Sequence, residues 1–263
     1  MGSPAPGKKF TRIILTSCFF FFSCSNAIER TSKSRPDRIS EEPTHLLSKI
    51  QNTNSNLKTF KGIGSIHFGT GGQRQKARAA WVGAMNAKLR IEILSISGQP
   101  AASLADDGKW FYLHLHQKQR FHKKRSTGNN LKSFFSIPVE TQDVVDLLAG
   151  RVPIRNHHQV SIVANPSQEG YILILSKRWR GEIERIYLDK EKSRIDKIEI
   201  LGNQGSIAYR VHFAGRQTVD GFVIPASLVI TNTKGDRLKI EIERFWTNVA
   251  VSPSMFVLTP PPG

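Results

Sequence analysis

The residues of this chain with the most recognisable chemistry sit at its start. Lys8-Lys9-Phe10-Thr11-Arg12 is a cationic run, Ile13 to Phe22 is mostly apolar, and Ser23 stands directly before Cys24. A basic head, an apolar stretch of about 7–15 residues and a small residue at the cut form an export signal, too short for the ~20 residues of a membrane span. A cysteine immediately after such a cut is a thiol placed to carry lipid, so residues 1–23 are expected to be removed and Cys24 to be acylated. Phe21 occupies the position where such sites usually carry leucine, and Ser25-Asn26-Ala27 offers a different cut that would release an unanchored protein.

Other chemically capable residues are scattered. Cys18, inside the apolar stretch, is the only second cysteine, so a chain beginning at Cys24 has no disulfide and depends on its core for stability. His114 and His116 lie two apart on a strand pattern and His157-His158 are adjacent, with no cysteine or nearby carboxylate to complete a metal set. Asp143 and Asp146 are spaced i, i+3 at a helix start, where the macrodipole favours carboxylates, and read as structural rather than as an acid pair. There is no Gly-x-Ser-x-Gly elbow and no His-Glu-x-x-His, and Gly62-Ile63-Gly64 lacks the third glycine of a dinucleotide loop. Neither catalysis, a metal nor a cofactor is expected. The balance of 38 Lys and Arg against 21 Asp and Glu, net +17, favours phosphate-bearing partners. Export makes nucleic acid the poorer candidate and a membrane surface the better one, beside the plain alternative of a solvated basic face.

The elements that must position these residues follow from periodicity. Residues 24–42 are polar and charged without apolar rhythm and read as a tether of up to roughly 60 Å at ~3.3 Å per residue. The folded region is expected over 43–263. Pro43 suits a helix first turn, and Leu46, Leu47, Ile50 and Leu57 share one side of a helix running to about Leu57. From Phe60 the period becomes two, and Gly62 and Gly64 within the first strand predict a bend or a close backbone approach. Alternation recurs through Ala77 to Trp81, Leu89 to Ile93, a hairpin of Leu104-Ala105 and Trp110 to Leu113 about the turn Asp106-Asp107-Gly108, Gln117 to Arg125, Tyr171 to Leu175, Ile183 to Leu188, Ile195 to Ile200, Ile207 to Phe213, Leu228 to Ile230 and Leu238 to Ile242. That predicts an all-β fold with a few helices, a curved antiparallel half-barrel of about eleven strands.

One helical interruption stands out. Leu131, Phe134 and Phe135, then Thr141 to Ala149 with Gly150 as a stop, predict one or two short helices. A curved sheet either fills its concave face with its own side chains or covers it with helices and leaves room for a ligand. The inserted helices point to a lid over a hydrophobic cavity. Its walls are expected from Phe68, Trp81, Ile91, Ile93, Trp110, Tyr112, Phe135, Val145, Leu148, Tyr209, Val211, Leu228, Ile230, Leu238 and Ile240, a simply packed core being the alternative.

These residues carry a family resemblance. Leu148-Ala149-Gly150-Arg151-Val152-Pro153-Ile154 resembles the segment after the lid helix in the LolB family of outer-membrane lipoprotein receptors. Ile224 to Thr231 with Arg237 to Trp246 is similar to that family's final hairpin, and Gly62 to Trp81 to its first two strands. The resemblance implies a lipid-anchored protein on the periplasmic face of the outer membrane, monomeric, which takes acylated lipoproteins from a LolA-like carrier and inserts them into the bilayer. Anchoring at Cys24 fits a receptor better than a shuttle. The family's apolar insertion loop corresponds to Leu94 to Pro100, where its tip position falls on Ser97 and Ile96 is the nearest apolar substitute. Two other readings stay open: an interaction lipoprotein that docks on anionic lipid, lipopolysaccharide or a protein complex through its basic face, and a carrier of another lipid.

Overall fold

Alternation of large apolar and polar side chains drives the chain back and forth as antiparallel strands from Thr59 to Thr247. The computed structural model describes Gly2 and residues 41–70, 73–127 and 129–261. The export signal, Cys24 and most of the expected tether lie outside these residues.

Helix α1 (Glu41–Asn52) comes first. It is followed by β1 (Thr59–Thr70), β2 (Gln73–Ala84), β3 (Lys88–Leu94), β4 (Pro100–Asp107), β5 (Trp110–Leu115) and β6 (Arg120–Arg125). Helices α2 (Lys132–Phe135) and α3 (Thr141–Leu148) intervene. Then come β7 (Gln159–Ala164), β8 (Tyr171–Lys177), β9 (Gly181–Leu188), β10 (Ile195–Leu201), β11 (Ile207–Val219), β12 (Phe222–Thr231) and β13 (Arg237–Thr247). All thirteen strands form one open sheet in the order β6-β5-β4-β3-β2-β1-β13-β12-β11-β10-β9-β8-β7.

The strand missing from the sequence reading is β7, an edge strand of which only Val160 and Ile162 turn inward. Helix α1 is also shorter than expected. It ends at Asn52, and Leu57, fully buried, belongs to the turn after it, where Asn54 takes a left-handed conformation at φ 51°. Asparagine tolerates that conformation better than most residues.

The strand order dictates the lid. Each half of the sheet is a simple meander, and β1 and β13 join the halves in the middle. The chain therefore leaves β6 at one outer edge and must enter β7 at the other. Residues 126–158 have the full width of the sheet to cross, and a curved sheet offers the shortest route over its concave face. Both free edges carry polar or charged side chains, such as Lys123, Lys124 and Arg125 on β6, which discourages pairing with another sheet.

Curvature is built at the centre. Gly62 on β1 faces Trp81 on β2, and Phe60 faces Gly83, so each aromatic ring lies over a glycine. At Gly64 the register with β13 shifts, and a Cβ there would fall inside the carbonyl oxygen of Glu241. Gly64→Ala is expected to force β1 away from β13 and cost about 3 kcal/mol, the upper range for overpacking, read as a lower urea midpoint at unchanged slope. A loss below about 0.5 kcal/mol would mean that the bulge relaxes freely.

Candidate functional site

The concave face and the helices over it form the most developed apolar surface of the protein. Phe68, Trp81, Ile91 and Ile93 from one half of the sheet meet Tyr209, Val211, Leu228, Ile230, Leu238 and Ile240 from the other, and Phe135, Val145 and Leu148 of the lid rest on both. Thirteen of the fifteen expected wall residues are thus brought together. Trp110 and Tyr112 are not: they lie on the opposite face of β5, with Ala105 and Leu258, while Phe111, Leu113 and Leu115 turn inward. The cover over them is the C-terminal segment, whose Phe256 and Leu258 cross the convex side of β2 to β5.

Among the described residues the face beneath α3 is closely packed. The gap bounded by Ile91, Leu104, Phe111, Leu131 and Thr141 has no room for a water. Val145, Leu147 and Ile137 are fully excluded from solvent. Space remains under α1 instead, as a cavity of about 230 Å³ between Leu46 and Ile50 of the helix, Val152, and Ile195, Phe213 and Ile224 of β10 to β12. Its border carries Lys49, Lys192 and Arg216. Lys192 pairs with Glu42 and sits 4.1 Å from the centre of the Tyr171 ring, and the Arg216 guanidinium donates to the carbonyl of Ile195 at 2.8 Å. At about 230 Å³ the cavity is smaller than the ~300–1,000 Å³ of ordinary ligand pockets, so a longer chain enters only if a helix moves.

Beside its buried apolar side chains, α3 is fastened by polar bonds. Helix α3 begins with a capping box: the Glu140 side chain accepts from the Asp143 backbone N–H, and the Asp143 carboxylate accepts from the Glu140 N–H at 3.1 Å. Asp143 has a second role. Arg155 grips it with two bonds, Nη1 to Oδ1 at 2.9 Å and Nη2 to Oδ2 at 2.7 Å, and the Tyr209 hydroxyl donates to Oδ2 at 2.6 Å. Burial and the carboxylate hold the Tyr209 hydroxyl well above its usual range. The Arg155 N–H in turn donates to Glu184 Oε2 at 2.9 Å, while Glu184 Oε1, fully buried, has no partner.

The two ends of α3 are fastened separately. At its start the Thr141 hydroxyl donates to Asp106 on β4 at 2.8 Å, and burial raises that carboxyl. At its end Gly150, at φ +71°, closes a Schellman turn in which the Gly150 N–H bonds to Leu147 O and the Arg151 N–H to Asp146 O. The Asn54 amide donates to the orphan Ala149 carbonyl at 2.8 Å, and Arg151 bridges Asp146 and the Leu57 carbonyl. The sequence reading places Asp143 correctly at the helix start, whereas Asp146 falls in the last turn of α3, and it misses the arginines of both. Arg151 and Arg155 follow the helix in a segment without periodicity, and nothing local marks Glu184.

Ile96 and Ser97 occupy the tip of the β3–β4 turn, both exposed, with the Ile96 side chain wholly in solvent. The turn is closed by Ser95 N–H to Gln99 O at 2.8 Å. His114 and His116 lie against each other with ring centres 4.0 Å apart and planes tilted by 37°. Ser103 lies between His116 Nε2, at 2.7 Å, and Glu92, to which it donates. In a nucleophilic triad the carboxylate orients the histidine, whereas here it engages the serine. Among the described residues no three His, Cys, Asp or Glu side chains gather to hold a metal, and no helix is long and apolar enough to cross a membrane.

No family model matches this chain, and no curated protein matches it. Solved structures do. An outer membrane lipoprotein-sorting protein domain from Vibrio parahaemolyticus superposes with a TM-score of 0.55 at 13% identity, over 82% of this chain and 96% of that one. A LolA superfamily protein from Nitrosomonas europaea gives 0.53 at 12%, over 82% and 97%. A DUF1329 family protein from Desulfovibrio piger gives 0.56 at 9%, over 83% and 97%. At these identities the likeness is one of fold: the curved open sheet with helices on its concave side is a LolA-like half-barrel.

Proposed function

We propose that this protein binds the acyl chains of lipid-bearing partners on the concave face of its half-barrel and acts, in the manner of a LolB-like receptor, to pass acylated lipoproteins into the outer membrane. The observation that carries the reading is the cover. Helices α1 and α3 lie over an apolar face, held by packed apolar side chains and side-chain bonds and not by backbone pairing with the sheet, so they can lift as units and exchange their own side chains for a ligand's. Burying an acyl chain is worth ~0.8 kcal/mol per CH₂, enough to drive that exchange once several methylenes enter. The cavity under α1 is the natural point of entry, and its cationic border suits a polar or anionic head.

Two further features support the finer reading. An acylated Cys24 would keep the protein on its membrane as a receptor rather than a shuttle, with a LolA-like carrier as its donor. Ile96 at the tip of an exposed turn supplies an apolar contact for the bilayer, with Ser97 beside it remaining polar. The LolA superfamily and lipoprotein-sorting names of the neighbours in fold agree with this class of ligand. The chemistry asked of the protein is binding and release, and no catalytic step is assigned to it.

Native mass spectrometry of the chain purified from a bacterial host tests the proposal. Mass that survives denaturation is lipid attached at Cys24; mass lost on denaturation is cargo. Ile195→Trp would take up the room of about two methylenes and weaken uptake of a long-chain fatty acid about tenfold. A clean apo mass, together with failure to take up acyl chains offered in vitro, would sink the acyl-binding reading and leave a filled half-barrel that works through its surface.

A further inference from the structure

Of the large apolar side chains that the described residues leave in solvent, two stand apart: Ile96, wholly exposed, and Trp179, 94% exposed. They lie far apart in sequence but leave the sheet at the same rim. Gly69 at the end of β1 pairs with Arg237 at the start of β13, Thr231 with Arg237, Leu201 with Ile207 and Lys177 with Gly181, while Leu94 at the end of β3 pairs with Arg78 on β2, which pairs in turn with Ser65 on β1. The turns β3–β4, β8–β9, β10–β11 and β12–β13 therefore all project from one side of the half-barrel.

We propose that this rim docks on an anionic phospholipid bilayer, with Trp179 as its interfacial anchor and Lys177, Arg178 and Arg180 as the cations that meet lipid phosphates. The β8–β9 tip reads Lys177-Arg178-Trp179-Arg180, an indole set among three positive charges. Tryptophan is favoured at the boundary between headgroups and acyl chains, and basic residues at a negative leaflet add to it. The tip is fixed in place: the Arg180 N–H bonds to Lys177 O at 3.1 Å, and its guanidinium donates to Asn203 Oδ1, at 2.9 Å, on the neighbouring turn of the same rim.

The carboxylates closest to these turns are already engaged. Glu182 is paired with the Arg185 guanidinium at 2.7 Å, and Asp236 is turned away from solvent at 9% exposure. Little negative charge opposes the approach to an anionic surface. With Ile96 on the same rim, the contact has two apolar points across the width of the sheet and would fix an orientation that a single lipid tether cannot. It is independent of whether the concave face takes a ligand.

The test uses the full chain with vesicles of phosphatidylcholine, with and without phosphatidylglycerol, in which part of the lipid is brominated on its acyl chains. On phosphatidylglycerol vesicles the tryptophan emission shifts to the blue and is quenched by bromine, and Trp179→Phe removes most of that quenching. Arg178→Gln weakens the interaction about fivefold, the loss expected for one cation near an anionic leaflet, and added salt weakens it further. Quenching that Trp179→Phe leaves unchanged, or that is equally strong on neutral vesicles, overturns the proposal. So does a preference for duplex DNA over the vesicles that persists in Trp179→Phe.

Discussion

Asp143→Ala is expected to lower the free energy of unfolding by about 3–5 kcal/mol, the loss on removing one partner of a buried ion pair. For a domain of this size that is a fall in melting temperature of about 10 °C. The Asp143 side chain is 1% exposed, and one carboxylate serves the helix cap, both arms of Arg155 and the Tyr209 hydroxyl. Alanine leaves a guanidinium and a phenol in a site from which water is excluded. Asp146→Ala is the control: its carboxylate is partly exposed and accepts one bond from Arg151 Nε and one from the Gln142 amide, so its loss costs about 1–2 kcal/mol. Hydrogen exchange locates the effect, since α3 amides should lose protection before those of the central strands. A loss below about 1 kcal/mol for Asp143→Ala would mean that α3 is held by Val145, Leu147 and Leu148 alone.

How much of this was legible depended on how far apart in sequence the cause lay. The half-barrel could be read because alternation is local, and α3 with its stop at Gly150 because capping is local. The bend at Gly62 and Gly64 was foreseen because a glycine inside a strand has few other uses. The faces of β5 were not legible. Its run Trp-Phe-Tyr-Leu-His-Leu is apolar on both sides, so period alone cannot choose which side turns inward. The choice is made by Leu258, some 150 residues later in a tail without rhythm, which covers Tyr112 and leaves Phe111 to the core. Periodicity likewise names the residues that face the concavity but not the distance between facing layers. That distance decides that α3 closes on a gap with no room for a water while a cavity remains beneath α1. Trp179 gave no sequence signal as an exposed residue, because a tryptophan in a turn is as readily buried as free.

Stability is also expected to fall as pH rises from about 5 to 8, and Glu184 is the reason. Its carboxyl is fully buried on β9, one oxygen accepts only the Arg155 N–H and the other has no partner. Burial is the dominant influence and pushes the group up from 4.5 to about 8, against the smaller opposing pull of the Arg155 N–H and its charge. The folded protein therefore keeps a proton that the unfolded chain releases near pH 4.5. Between the two values folding takes up close to one proton, so stability drops by up to about 1.4 kcal/mol per pH unit and levels off above pH 8. Urea unfolding across that range reads the slope, and Glu184→Gln, which keeps an acceptor for the Arg155 N–H, should flatten it whatever it does to absolute stability. A slope that survives Glu184→Gln would assign the proton elsewhere, with Asp106, also raised by burial, the next group to replace. Ionised Glu184 would also compete with Asp143 for the Arg155 side chain. The bond that fastens α3 to the segment leading into β7 would then loosen from the alkaline side, and α3 would open more readily at pH 8 than at pH 6.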